Sequence, residues 1–147
     1  MMKKWIVLGL TALCSFSSLA APPFSELSSS KDNPTSMRYY VEHYKDKDSL
    51  EYKYLLVSVR SAADAINFYT TRLDARNQRI DYCLPMKDPA NRDTLRTWKT
   101  KDLIVLINER TERDPRFKKN GILHGTIASH LAAALKEQYP CPVQKQL

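Results

Sequence analysis

Leu50-Glu-Tyr-Lys-Tyr-Leu-Leu-Val-Ser-Val-Arg-Ser-Ala-Ala-Asp-Ala-Ile-Asn-Phe-Tyr-Thr-Thr-Arg-Leu73 decides the fold. Within it Tyr52, Leu55, Val59, Ala62, Ile66, Tyr69 and Leu73 recur at steps of three or four residues. That spacing places them on one face of an α-helix, because the helix repeats every 3.6 residues. Ala62, Ala63 and Ala65 are small enough to let a neighbouring helix approach closely. Asp48 or Ser49 supplies the N-cap, and Glu51 in the first turn complements the positive helix end. The pattern fades into polar Asp74–Gln78, followed by Cys83-Leu84-Pro85.

The same period governs the elements on either side. Ser36 caps a short helix from Met37 to about Tyr44, with Tyr40, Val41 and Tyr44 on one side. Asp88-Pro89, and Leu95 three residues before Trp98, allow a short helix somewhere in 86–99. Thr100 caps a helix over Lys101–Arg113, whose apolar side is Leu103, Ile104, Leu106 and Ile107. Asp114-Pro115 ends it, and Arg116–Gly121 reads as a basic loop. Asn120 or Gly121 opens a last helix over Ile122–Gln138, with Leu123, Ile127, Leu131, Ala134 and Leu135 as its core stripe. No run longer than a few residues alternates with period two, and no internal repeat is visible. The expectation is therefore an all-α fold, a small bundle of about four helices.

The amino-terminal residues follow a different grammar. Lys3 and Lys4 precede an almost unbroken apolar run from Trp5 to Phe16, and Ser18-Leu19-Ala20 has the small residues of a signal-peptidase site. Residues 1–20 thus read as a secretory signal peptide, the run being short of the ~20 residues a membrane span needs. A membrane anchor is the competing reading. Residues 21–35, rich in Ser and Pro, read as a flexible leader, 36–142 as one helical domain, and 143–147 as a tail. Without Lys3 and Lys4 the net charge falls from +7 to +5. Of three cysteines, Cys14 lies in the signal peptide, leaving Cys83 and Cys141 as an even pair in an exported chain. Such a pair reads as one disulfide, formed in an oxidising compartment such as a bacterial periplasm.

The chemical inventory is thin. The three glycines leave no phosphate-cradling loop, and no cofactor motif occurs. His124 and His130 are six residues apart, about 240° around a helix, so they cannot chelate one ion together. A free Cys83 beside a histidine would be a thiol nucleophile, but a disulfide consumes it. Asp64 sits mid-helix, one turn after Arg60, where pairing competes with any acid–base role. The reading is not an enzyme. Basic and acidic residues interleave through Glu109–Asp114, which argues for a solvated surface rather than a nucleic-acid footprint. Tyrosines at 39, 40, 44, 52 and 54 suit either a protein interface or a small core.

Several features in order are similar to the Rap/Tai family of periplasmic immunity proteins, which protect bacteria from type VI secretion toxins. They are the signal peptide, the helix Tyr54–Ala65, Cys83-Leu84-Pro85, Asp114-Pro115 between helices, and the ending Ala133-Ala-Leu-Lys-Glu-Gln-Tyr-Pro-Cys141. The resemblance covers about residues 50–142. It implies a small all-helical homodimer that inhibits a secreted peptidoglycan amidase by occluding its cleft. Many members carry a further cysteine pair near the first helices, which this chain lacks, and the stretch from Pro85 to Leu103 looks longer here.

A cleft plug is best built as a protruding segment on a rigid scaffold. Two segments join an aromatic anchor to positive charge: Asp88–Lys99, with Arg92, Arg96 and Trp98, and Arg113–Gly121, with Arg116, Phe117 and Lys118. The partner is then an amidase toxin, with neither nucleic acid nor membrane involved after signal cleavage. The alternative is a periplasmic stress protein of holdase type that binds unfolded clients. A secreted effector or small hydrolase ranks last.

Overall fold

The computed structural model describes residues 30–85, 94–120 and 124–142. The expected signal peptide and the 143–147 tail lie outside these residues, as does Arg92. The described residues form five α-helices and no strand: α1 (Met37–His43), α2 (Leu50–Ala75), α3 (Thr100–Arg113), α4 (Pro115–Asn120) and α5 (Ile127–Gln138). A 3₁₀ turn, Leu95–Thr97, precedes α3. The fold is all-α, with the Cys83–Cys141 disulfide in place. Among the described residues no helix is long and apolar enough to cross a membrane.

Local chemistry sets the helix ends. The side chain of Ser36 accepts from the Tyr39 amide and that of Ser49 from the Tyr52 amide, each at 3.0 Å. These satisfy amide donors that a first helical turn leaves unpaired. At the far end of α2, Asn77 takes a left-handed conformation (φ 53°). The Gln78 amide donates to Leu73 O and the Asn77 amide to Asp74 O, the paired bonds of a Schellman cap.

Three boundaries differ from the sequence expectation. Lys99 is extended (ψ 143°) and is the residue preceding α3, so Thr100 is its first helical residue and makes no cap. The expected basic loop after Pro115 is helical. Asp114 stops α3 and also starts α4, accepting the Arg116 amide at 2.9 Å, and Pro115 takes the first helical position, where its missing N–H is harmless. The last helix begins at Ile127. Thr126 and Ser129 form a reciprocal capping box at 3.1 and 3.2 Å, while Gly125 (φ 99°) turns the chain into it. Leu123, expected in the stripe, lies outside the described residues.

The core is the meeting of one face from each long helix. Leu55, Val59 and Ala63 of α2 pack with Leu103, Ile104, Leu106 and Ile107 of α3 and with Ile127, Leu131, Ala134 and Leu135 of α5. Met37, Tyr39 and Tyr40 of α1 close one end, and Leu95 enters from the 3₁₀ turn. The crowded tyrosines divide: Tyr39 and Tyr40 are core, whereas Tyr54 is 52% exposed. Fully buried Tyr40 places its hydroxyl 2.7 Å from Asn108 Oδ1 and 3.2 Å from Ile104 O. Tyr69, expected on the core stripe, is exposed and lines an open groove between α2 and α5.

The segment that enters α1 is also tied down. Ser30–Thr35, part of the stretch read as a leader, carries turns closed by Asn33 Oδ1, which accepts from the amide and hydroxyl of Thr35. The buried hydroxyl of Ser36 donates to Ser30 O at 2.6 Å. Ser36 and Thr126 form an isolated antiparallel bridge: the Met37 amide donates to Gly125 O at 2.9 Å and the Ile127 amide to Thr35 O at 2.8 Å.

Candidate functional site

The two segments expected to meet a partner are held in different ways. Residues 86–93, including Arg92, lie outside the described residues; residues 94–99 are strapped to α2. The Arg60 guanidinium donates to Trp98 O at 2.9 Å and to Leu95 O at 3.0 Å, and its Nε donates to Asp64 Oδ1 at 3.1 Å. Asn67 Oδ1 accepts the Leu95 amide at 3.2 Å. Arg60, Asp64 and Asn67 share one flank of α2 because they are three and four residues apart. The guanidinium lowers the pKa of Asp64, chiefly through that hydrogen bond, so the carboxylate is ionised and engaged.

Trp98 stands half-buried at the end of this strap. Its ring meets Tyr139 edge-on, with centroids 5.6 Å apart and planes at 87°. It packs against the core, so its indole serves the fold whatever else it contacts. Arg96, on the turn before it, is exposed. Behind the ring the disulfide joins the end of α5 to the segment after α2, with Cα atoms 4.8 Å apart. The Cys83 amide donates to Tyr139 O at 2.8 Å beside it.

The second segment is α4. Phe117 turns inward and packs on the core, while Arg116 and Lys118 are exposed. Arg116 is locked to nearly buried Asp114 through Nε at 3.0 Å and Nη2 at 2.6 Å. These bonds hold the Asp114 carboxyl down at about 2. The helix therefore presents a fixed cationic face on an aromatic root. Each segment has its own attachment: 94–99 to α2 and α5, and 115–120 to the end of α3.

A polar relay running from buried His130 out to exposed Glu137, legible in the sequence only as separate residues, stands beside α4. Arg110 donates from Nη1 to His130 Nδ1 at 2.9 Å and from Nε to Glu137 Oε1 at 3.1 Å. A guanidinium can only donate, so Nδ1 accepts, and Nε2–H donates to His124 O at 3.0 Å. His130 is thus fixed as one neutral tautomer. Burial pushes its pKa down, and the Arg110 charge adds to that. The exposed side chain of His124 and the backbone-directed His130 make no shared metal site, and no cluster of three or more metal-ligating residues occurs among the described residues.

An open groove runs between the last turns of α2 and the middle of α5. Ala65, Ile66, Tyr69, Leu73, Tyr82, Ala132 and Ala133 supply its apolar bed, with Thr70, Asp81 and Lys136 at the rim. The last two are 3.6 Å apart. No family model, curated protein or solved structure matches this chain.

Proposed function

We propose that the protein is an immunity-type inhibitor, which binds a secreted peptidoglycan amidase in the periplasm and occludes its cleft. One observation carries the reading beyond the sequence resemblance. The cationic α4, Arg116-Phe117-Lys118, is fixed on the scaffold by Asp114 and by its own half-buried aromatic, which packs against the core. A segment ordered before binding loses little conformational freedom on docking, which favours tight association. The strapped turn carrying Arg96 adds a second exposed cation on a rigid base. The disulfide suits an oxidising compartment. Occlusion asks for shape and charge only.

The test is titration of the purified protein into secreted peptidoglycan amidases, the first being any encoded beside its gene, read as binding heat and residual hydrolysis. Stoichiometric inhibition with Kd on the order of nanomolar, about −12 kcal/mol, is expected. Lys118→Glu should weaken it about tenfold or more, and Arg96→Glu reports separately on the other segment. Binding without inhibition, or protection of cells only when the protein is retained in the cytoplasm, defeats the proposal. A holdase reading draws on the exposed Tyr54, Val57, Phe68 and Tyr69. It requires suppression of aggregation of unrelated unfolded clients, at no fixed stoichiometry.

A further inference from the structure

α5 is apolar on more than its core face. Ile127, Leu131, Ala134 and Leu135 face the core. Ala132 and Ala133 lie about 115° and 145° round the helix from the middle of that stripe, at about 100° per residue. They line the groove against α2 instead. Apolar helix surface is ordinarily covered by another element. Here a groove of about 520 Å³ stays open, with Ile66, Tyr69, Leu73 and Tyr82 completing its bed. The two alanines are small, so the groove has room for large side chains brought from elsewhere.

We infer that this groove is filled by the chain's own leader, residues 21–29, with Phe24 and Leu27 in the apolar bed and Glu26 at Lys136. The leader's root is already placed at α5. The Ser36 hydroxyl donates to Ser30 O at 2.6 Å, and Ser36 bridges Thr126, the residue that caps α5. From Thr126 to Ala133 the helix rises about 10 Å at 1.5 Å per residue. The chain from Ser29 back to Phe24 reaches about 20 Å when extended, enough to lie along α5 as far as the groove. Phe24 and Leu27 are the large apolar residues of this stretch, and burying both offsets the freedom the leader loses.

Charge selects the leader over the other end of the chain. Residues 143–147 also leave the domain near the groove, since Cys141 Sγ lies 3.7 Å from Ile80 O, next to Asp81 and Tyr82. Their sole charge is Lys145, whereas that of residues 21–29 is Glu26. Lys136 stands at the rim, and Arg72, Arg76 and Arg79 are exposed on the stretch from α2 to Tyr82, against Asp74 and Asp81. Positive charge prevails there, so it attracts an acidic segment and repels a basic one. The contact of Lys136 with Asp81, at 3.6 Å, is longer than a hydrogen bond, and the ammonium has three donors to offer a nearer carboxylate. The groove is separate from α4 and the strapped turn, so the inference stands whether or not the protein inhibits an amidase.

Limited proteolysis of the chain beginning at Ala21 tests it. Chymotrypsin cleavage after Phe24 is followed by mass, each rate being divided by that of a free peptide with the same leader sequence. The wild-type leader should be cut about tenfold or more slowly than its peptide, because only the undocked fraction is open to the protease. Ala133→Trp fills the groove and should bring cleavage to the peptide rate. Glu26→Lys and Lys136→Glu should each raise the relative rate about threefold or more, and the double variant should restore protection. Lys145→Glu should change nothing. Wild-type cleavage at the peptide rate overturns the inference. So does protection that survives Ala133→Trp in a folded variant, a double variant that fails to recover, or release of the leader by Lys145→Glu. If Ala133→Trp does not fold, the charge exchange at exposed Lys136 decides alone.

Discussion

Replacing Arg60 by methionine keeps the aliphatic stem and removes the guanidinium. The Leu95 and Trp98 carbonyls then lose their donors, while Asp64 loses its cation. A hydrogen bond to a charged group contributes about 1.5–3 kcal/mol when shielded from water. Here the Arg60 side chain is 27% exposed, so water replaces part of each bond. We therefore expect a loss of about 2 kcal/mol from the two carbonyl bonds together. Asp64 is 55% exposed, and an exposed pair of this kind is worth about 0.5 kcal/mol or less. Arg60→Met should lower the urea midpoint accordingly and Tm by roughly 8 °C, at about 4 °C per kcal/mol for a domain of this size. Asp64→Asn should shift either by little. Trp98 emission should move to longer wavelength in the first variant only, as its backbone anchor is released. Equal stability of Arg60→Met and wild type, or equal losses in both variants, would refute the strap as the reason this arginine is there.

Other outcomes follow from the core and the buried polar groups. Converting Cys83 and Cys141 to serine should cost about 4 kcal/mol on the chain-entropy account of a bridge across 58 positions, measured by urea unfolding. Val59→Asp puts an unpaired carboxylate at a fully buried site and should abolish soluble accumulation; a soluble variant with wild-type Tm would contradict the core assignment. Acid should act through His130: the unfolded chain takes up this proton near about pH 6.5. The native one resists it until lower pH, so stability falls as pH drops below that value, and His130→Gln should flatten this limb in urea midpoints. Asp114 works at lower pH. Its stabilisation is complete above about pH 4 and is lost as pH falls toward 2, and Asp114→Asn should remove that second decline.

Much of the helical framework was legible from periodicity because α2, α3 and α5 bury one stripe each. Leu103, Ile104, Leu106 and Ile107, and Ile127, Leu131, Ala134 and Leu135, lie where their spacing placed them. Ser36 and Ser49 cap as their chemistry suggested. What escaped were signals with two meanings. Asp114-Pro115 is both a stop and a start, and its residue types announce the stop more plainly than the start. Thr126 and Ser129, a capping box with serine in the place of the usual Glu or Gln, lay inside an apolar stretch that seemed to continue unbroken from Ile122. The polar connections of Arg60 to Leu95 and Trp98, and of Arg110 to His130, join residues distant in sequence, so no local spacing announces them. Trp98 and Phe117 carried the aromatic signal of a partner surface, but in the fold both rings pack on the core, leaving the cations beside them as the accessible groups.

The bridge between Ser36 and Thr126 has a consequence for the order in which the chain can assemble. The first helix hangs its opening amide on Gly125 O, and the last helix hangs its own on Thr35 O. A chain made amino-end first can join α1 to α2 early, where the Tyr39 hydroxyl donates to Glu51 O at 3.2 Å, but the clasp at its first amide has no partner yet. Tyr40 must wait for α3 and the Met37 amide for Gly125, so those two anchors form only when nearly the whole domain is present. Closure across such a separation is slow, because the loop entropy is lost before any contact repays it. Once both ends meet, the clasp ties the start of the domain, and the disulfide its middle, to the last helix. The clasp itself closes only when Gly125 and Thr126 are in place.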